Sequence, residues 1–88
     1  MKRYYIVYSG QVQGVGFRWK LMQIAYKYNL TGFVKNLDNG NVVTEVQGEG
    51  VDEFLKESLE QDYFINVEDY VMKQIDLVDD EETYQVIY

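Results

Sequence analysis

Apolar and polar positions alternate from Tyr4 to Ser9, with Tyr4, Ile6 and Tyr8 on one side and Tyr5, Val7 and Ser9 on the other, which predicts a strand. The run ends at Gly10. Between Gly10 and Gly16 three glycines interleave as Gly-Gln-Val-Gln-Gly-Val-Gly, a pattern suited to a tight loop with some residues at positive φ. Phe17, Leu21, Ile24, Ala25 and Tyr28 then form the apolar stripe of an amphipathic helix, with Lys20, Gln23 and Lys27 facing away. Asn29 suits a left-handed stop.

Leu30 to Asn36 reads as a second strand and Val42 to Gln47 as a third, joined through Asp38-Asn39-Gly40, whose Asn-Gly pair predicts a type I′ hairpin turn. After Gly48 and Gly50, the residues Val51, Phe54, Leu55 and Leu59 mark a second helix. Val67 to Leu77 supplies a long strand with imperfect alternation, Asp79 to Glu82 an acidic, solvated hairpin turn, and Thr83 to Tyr88 a last short strand. The order β-α-β-β-α-β with an added C-terminal strand predicts an α+β sandwich of ferredoxin-like fold, an antiparallel sheet with two helices on one face. Its first two strands run in the same direction. The Gly10–Gly16 loop, the start of the first helix and Asn36 therefore share one rim of the sheet, one intervening strand or about 10 Å apart.

The chain has 88 residues, so one core and a single domain over 1–88 are expected, and with 47% hydrophobic and 16% aromatic residues that core needs no staple. It has no Cys and no His, which removes disulfides, thiolate or imidazole nucleophiles and the commonest transition-metal ligands. Arg, Lys, carboxylates, amides, hydroxyls and the backbone remain. No apolar run approaches a membrane span, and a cytoplasmic protein is expected. The net charge of −7 argues against nucleic acid as a partner, but it is unevenly spread. Residues 1–45 carry six Lys and Arg side chains against two carboxylates, and residues 46–88 carry two against thirteen. An anion is expected to meet the first half.

At the rim, successive backbone N–H groups run into a helix N-terminus, where the first turn has no internal acceptors and the dipole is positive. Arg18, in that first turn, can make two parallel hydrogen bonds to a phosphate or carboxylate. Taken by itself the loop fits either an anion cradle or a plain glycine-rich turn. It matches neither the P-loop, lacking the Gly-Lys-Ser/Thr ending, nor the dinucleotide fingerprint, since Trp19 stands at the third glycine position.

Gly10-Gln-Val-Gln-Gly-Val-Gly-Phe-Arg18 and Gly32-Phe-Val-Lys-Asn36, followed by Gly40, Val42 and Gly48, resemble the two signature motifs of the acylphosphatases. The resemblance covers about the first half of the chain; the second half is similar only in element order. Leu21 stands where many members have Thr, and Asn29 where many have Gly. The resemblance implies that the loop amides of Gln13, Gly14, Val15, Gly16 and Phe17, together with Arg18, bind a phosphoryl group, and that Asn36 positions the attacking water. The implied substrate is a small acyl phosphate, with inorganic phosphate as a competing ligand and no cofactor or metal. A monomer is expected.

The composition fits that chemistry independently. An acyl phosphate is a mixed anhydride whose carboxylate leaving group has a pKa near about 4, so no general acid is needed to expel it at neutral pH. A phosphate monoester leaves as an alkoxide and normally needs a positioned acid, a metal or a covalent nucleophile. Read from the residues alone, Asn36 also fits a residue at a hairpin start bonding its own backbone. Lys35 fits a solvated strand charge, and Ser9 strand packing. Should a carboxylate serve as base, Glu45 and Asp38 stand in the motif-bearing half.

Other readings draw on other features. The acidic stretch from Asp76 lacks the alternating ligands and central Gly of an EF-hand loop. The Tyr-rich first strand suggests a base-stacking sheet, but Val42–Gln47 offers no aromatic partner, and core packing explains the tyrosines better. A non-catalytic anion-binding module, or an interaction module like the acylphosphatase-like segments of larger carbamoyl-processing proteins, are the alternatives in other classes. Retention of Asn36 weighs against the first, and a chain opening on its own Met1 against the second.

Overall fold

The computed structural model describes residues 1–88. Five strands and two helices follow in the order β1 (Lys2–Gln11), α1 (Phe17–Lys27), β2 (Thr31–Asn36), β3 (Val42–Gly48), α2 (Val51–Ser58), β4 (Asn66–Ile75) and β5 (Tyr84–Ile87). They form one sheet in the order β4-β1-β3-β2-β5. This is the expected ferredoxin-like arrangement with an added C-terminal strand. Both helices bury their apolar stripes on one face, where Tyr4, Ile6 and Tyr8 of β1 meet Phe17, Leu21 and Phe54 in a core of sixteen buried residues. Neither helix is long and apolar enough to cross a membrane.

β1 and β2 each pair antiparallel with β3, so they run parallel to each other and end on one rim. β5 pairs with β2 in parallel, from Gly32 opposite Tyr84 to Lys35 opposite Ile87, and brings the end of the chain to that same rim. β4 lies on the far edge, against β1.

That edge placement corrects the reading of the acidic segment. β4 and β5 occupy opposite edges of the sheet, so residues 76–83 cross between edges and make no hairpin turn. The crossing is strapped to the sheet. Arg3, 2% exposed, donates Nε to Glu45 at 2.9 Å and Nη1 to Glu81 at 2.7 Å, while Gln47 accepts from the Val78 N–H and donates to the Val78 carbonyl. Glu81 is therefore an ion-pair partner and not a solvated turn residue. Burial pushes its carboxyl up, but hydrogen bonds from Arg3 and Thr31 and the Arg3 charge outweigh that and hold it below the ordinary range.

Local chemistry sets the element ends. Asn29, at φ 55°, stops α1, and the Leu30 N–H reaches back to the Ala25 carbonyl while the Asn29 N–H reaches Tyr26, a Schellman closure. Gly32 is required by proximity: a Cβ there would stand 1.9 Å from the Glu45 carbonyl oxygen. The β2–β3 turn differs from the type I′ expectation. Gly40 is at φ 93° but Asn39 is not in the left-handed region. The Gly40 N–H bonds to the Leu37 carbonyl, the Leu37 N–H to Asn41, and Asn39 Oδ1 accepts from the Asn41 N–H. A side-chain acceptor thus holds Asn39 in an ordinary turn conformation and leaves the positive φ to glycine alone.

Candidate functional site

The β1–α1 loop is held at both ends by core residues, Val12 and Phe17, each 1% exposed. The Phe17 ring meets Tyr8 edge-on at 4.9 Å between centroids, which ties the first residue of α1 to the end of β1. Between these anchors Gly14 and Gly16 adopt φ 72° and 83°. A Cβ at either would meet nothing within 4 Å, so these two glycines answer the backbone turn and face open space.

The loop's donors point to no acceptor in the chain. The N–H groups of Gln13, Gly14, Val15 and Gly16 make no backbone hydrogen bond, and the first helical bond is that from Lys20 to the Gly16 carbonyl. Gly16 is the N-cap of α1, supplies no side-chain cap, and no acidic residue follows in the first turn; α2, by contrast, has Asp52 and Glu53 there. The positive end of α1 is left unneutralised.

Arg18 stands in that first turn, half-buried. Its guanidinium lies 5.1 Å from the centre of the Tyr88 ring. It belongs to no ion pair, whereas Lys2, Arg3 and Lys27 are each matched with a carboxylate. A cavity of about 250 Å³ opens beside Gly14, Gly16 and Arg18. Arg3, counted in the sequence with the charges that meet an anion, is spent at the opposite end of β1.

Asn36 ends β2 at the same rim, on the helix side of the sheet like the buried Val34 two residues earlier. Its Oδ1 is the one buried side-chain oxygen or nitrogen in the chain without a hydrogen-bond partner. The alternative of an Asn bonding its own backbone is therefore not the one realised through this oxygen. A buried acceptor normally finds a donor, because leaving it unmatched costs about 1–3 kcal/mol. No group of the chain supplies that donor.

One side chain that was expected only to lend its amide joins the two halves of the rim. Gln13 Nε2 donates to the carbonyls of Leu37 and Asn41 at 2.7 and 2.8 Å, fastening the loop to the turn that follows Asn36. Its residue type in a glycine loop carries no sequence signal for that role. Tyr88 was also missed, since only the β2–β5 pairing brings it to Arg18. The other candidates stand apart. Lys35 is exposed on the outer face, Ser9 donates to the Asp69 carbonyl, and Asp38 is exposed in the turn. Glu45 is held by Arg3 opposite Phe33, three residues along β2 from Asn36 or about 10 Å.

Residues 4–86 match the family model described as acylphosphatase. A protein named acylphosphatase from Clostridium acetobutylicum is 41% identical over 90 aligned positions, covering all of this chain and 99% of that one. The crystal structure of acylphosphatase from Bacillus subtilis superposes with a TM-score of 0.94 at 30% identity, each chain covered in full. A segment making up 12% of full-length HypF, solved in a phosphate- and nucleotide-bound form, superposes over 99% of this chain with a TM-score of 0.86 at 27% identity. A match that spans nearly the whole chain in sequence and in fold, on a rim that offers unpaired amides, an unpaired arginine and an orphaned asparagine, means that the chain belongs to the acylphosphatase family.

Proposed function

We propose a division of labour for acyl phosphate hydrolysis, the reaction of that family, in this chain. The phosphoryl group sits in the loop, held by the N–H groups of Gln13, Gly14, Val15, Gly16, Phe17 and Arg18 and by two parallel bonds from the Arg18 guanidinium. Asn36 Oδ1 accepts a hydrogen bond from the attacking water and turns the water's lone pair toward phosphorus. The observation that carries the reading is the orphaned Asn36 oxygen, a buried acceptor on the same rim as a row of donors with nothing to bond.

Water attacks in line, the bond between phosphorus and the acyl oxygen breaks, and the carboxylate leaves without protonation. The water's proton passes to a phosphoryl oxygen. Catalysis is then positioning plus stabilisation of charge on the equatorial oxygens by amides and guanidinium that are in place before substrate arrives. We assign the activity to a single domain over residues 1–88 acting as a cytoplasmic monomer. The family match over 4–86, a site drawn from β1, α1 and β2 of one chain, and a chain without Cys support that assignment.

Hydrolysis of an aryl acyl phosphate, followed spectroscopically, tests the roles. Arg18→Ala is expected to lower kcat/KM by at least about a hundredfold and to weaken inhibition by inorganic phosphate. Asn36→Ala is expected to lower kcat by a similar factor and to leave phosphate inhibition in place, because the water it orients matters in the transition state. Arg18→Lys does not rescue, since an ammonium lacks the planar fork. Near-wild-type turnover by either folded alanine variant refutes the assignment.

A further inference from the structure

The cavity beside Arg18 has a second, apolar wall. Trp19, Met22, Val86 and Tyr88 form it, and six of the nine residues around the cavity are apolar. Trp19 is 63% exposed and Tyr88 93% exposed, so neither large ring is spent on the core. Both flank Arg18, one by sequence and one by the β2–β5 pairing.

We propose that this wall is the acyl subsite and that it selects apolar, above all aromatic, acyl groups. The inference rests on the phosphoryl site proposed above. In-line attack puts the water and the leaving group on opposite sides of phosphorus. Asn36 does not border the cavity, whereas Gly14, Gly16 and Arg18 do. With the water on the Asn36 side, the acyl oxygen leaves toward the cavity, and the group attached to it meets Trp19 and Met22. An aromatic ring there gains apolar burial and an offset or edge contact with the indole. A methyl group reaches little of the wall. An acyl group carrying a second phosphate finds no cation on that wall except Arg18, which the first phosphoryl group already engages.

The test is the ratio of kcat/KM for benzoyl phosphate to that for acetyl phosphate, each divided by its uncatalysed rate of hydrolysis. The wild-type ratio is expected to exceed one. In Trp19→Ala it falls about tenfold, chiefly through KM for benzoyl phosphate, and Trp19→Phe restores most of it. A wild-type ratio near one, or a ratio that Trp19→Ala leaves unchanged, overturns the subsite. Failure of the underlying phosphoryl assignment shows differently: Arg18→Ala then hydrolyses both substrates at wild-type rates, an outcome that no Trp19 variant imitates.

Discussion

Replacing Gln13 separates the loop's chemistry from its attachment. The two bonds from Nε2 to the Leu37 and Asn41 carbonyls are the only hydrogen bonds that join the β1–α1 loop to the turn after Asn36. In Gln13→Ala the loop keeps all its N–H groups and loses that attachment. Neither carbonyl is orphaned, because each still accepts a turn bond, Leu37 from the Gly40 N–H and Asn41 from the Leu37 N–H. The loss is then two neutral hydrogen bonds of modest net worth, about 1–2 kcal/mol together, or a Tm lower by ~4–16 °C in a domain of this size. Activity falls further than stability does. A shift of about 1 Å between the phosphoryl cradle and the water held at Asn36 is enough to cost ~100-fold in kcat.

Gln13→Glu sharpens the case. The side chain has the same shape, but an ionised carboxylate faces two carbonyl oxygens and donates nothing. At neutral pH this variant is expected to be less stable than Gln13→Ala. Its carboxyl is pushed above the ordinary range in the folded state, so the penalty is relieved as pH falls through that raised value, where a protonated acid donates again. Urea unfolding followed by the fluorescence of Trp19, the only tryptophan, measures the stabilities, and acyl phosphate turnover measures the geometry. Wild-type stability and kcat for Gln13→Glu at pH 7 refute the reasoning.

Gly16→Ala is expected to cost about 1–2 kcal/mol for its left-handed backbone and to raise the inhibition constant for phosphate about tenfold, since its methyl occupies the open side of the loop; denaturation and inhibition assays read the two effects separately. Glu81→Gln leaves Arg3 with Glu45 as its only carboxylate and is expected to lose about 1–3 kcal/mol at pH 7. Because the Glu81 carboxyl is held down by Arg3 in the folded state, its stabilisation is complete above the unfolded carboxylate range and fades as pH falls through the depressed value. The wild-type and variant unfolding curves therefore converge in acid. With no His or Cys to titrate, kcat is expected to stay nearly flat from about pH 5 to 8 apart from the substrate's own ionisation; a steep rise through one pKa, abolished by replacing Asp38 or Glu45, would reveal a general base.

What the sequence made legible was local. The stripe Phe17, Leu21, Ile24 and Ala25 is the buried face of α1, Asn29 is its left-handed stop, and Gly14 and Gly16 hold the positive φ that an interleaved glycine loop predicts. Each follows from a residue and its nearest neighbours. The features that escaped are those in which topology chooses the partner. Arg3 meets Glu45 and Glu81 across 42 and 78 residues, and nothing in its strand pattern distinguishes it from a charge that greets an anion. The acidic run read as a turn because two strands flank it, yet the edge beside β1 is taken by β4, and the last strand has to cross to β2. Gln13 and Tyr88 belong with these, since each acts on an element that no local period connects to it.

The two arginines of the first half show why that division matters for function. Arg3 lies near the start of β1 and Arg18 in the first turn of α1 beyond its end, and composition alone makes them equivalent. At the start of β1 the crossing of residues 76–83 delivers Glu81, the pairing with β3 delivers Glu45, and the guanidinium is neutralised and 2% exposed. At the far end the chain turns through glycines into a helix with no acid in its first turn, and Arg18 has an aromatic ring beside it and belongs to no ion pair. A carboxylate near Arg18 would compete with substrate for the fork, and one fewer near Arg3 would leave a buried charge short of partners. The surplus of acid in the second half is therefore not a solubility coat alone. Some of it is drawn to the end of the sheet remote from the loop, where Glu81 pairs with Arg3 and stabilises the fold, and none of it forms an ion pair with Arg18.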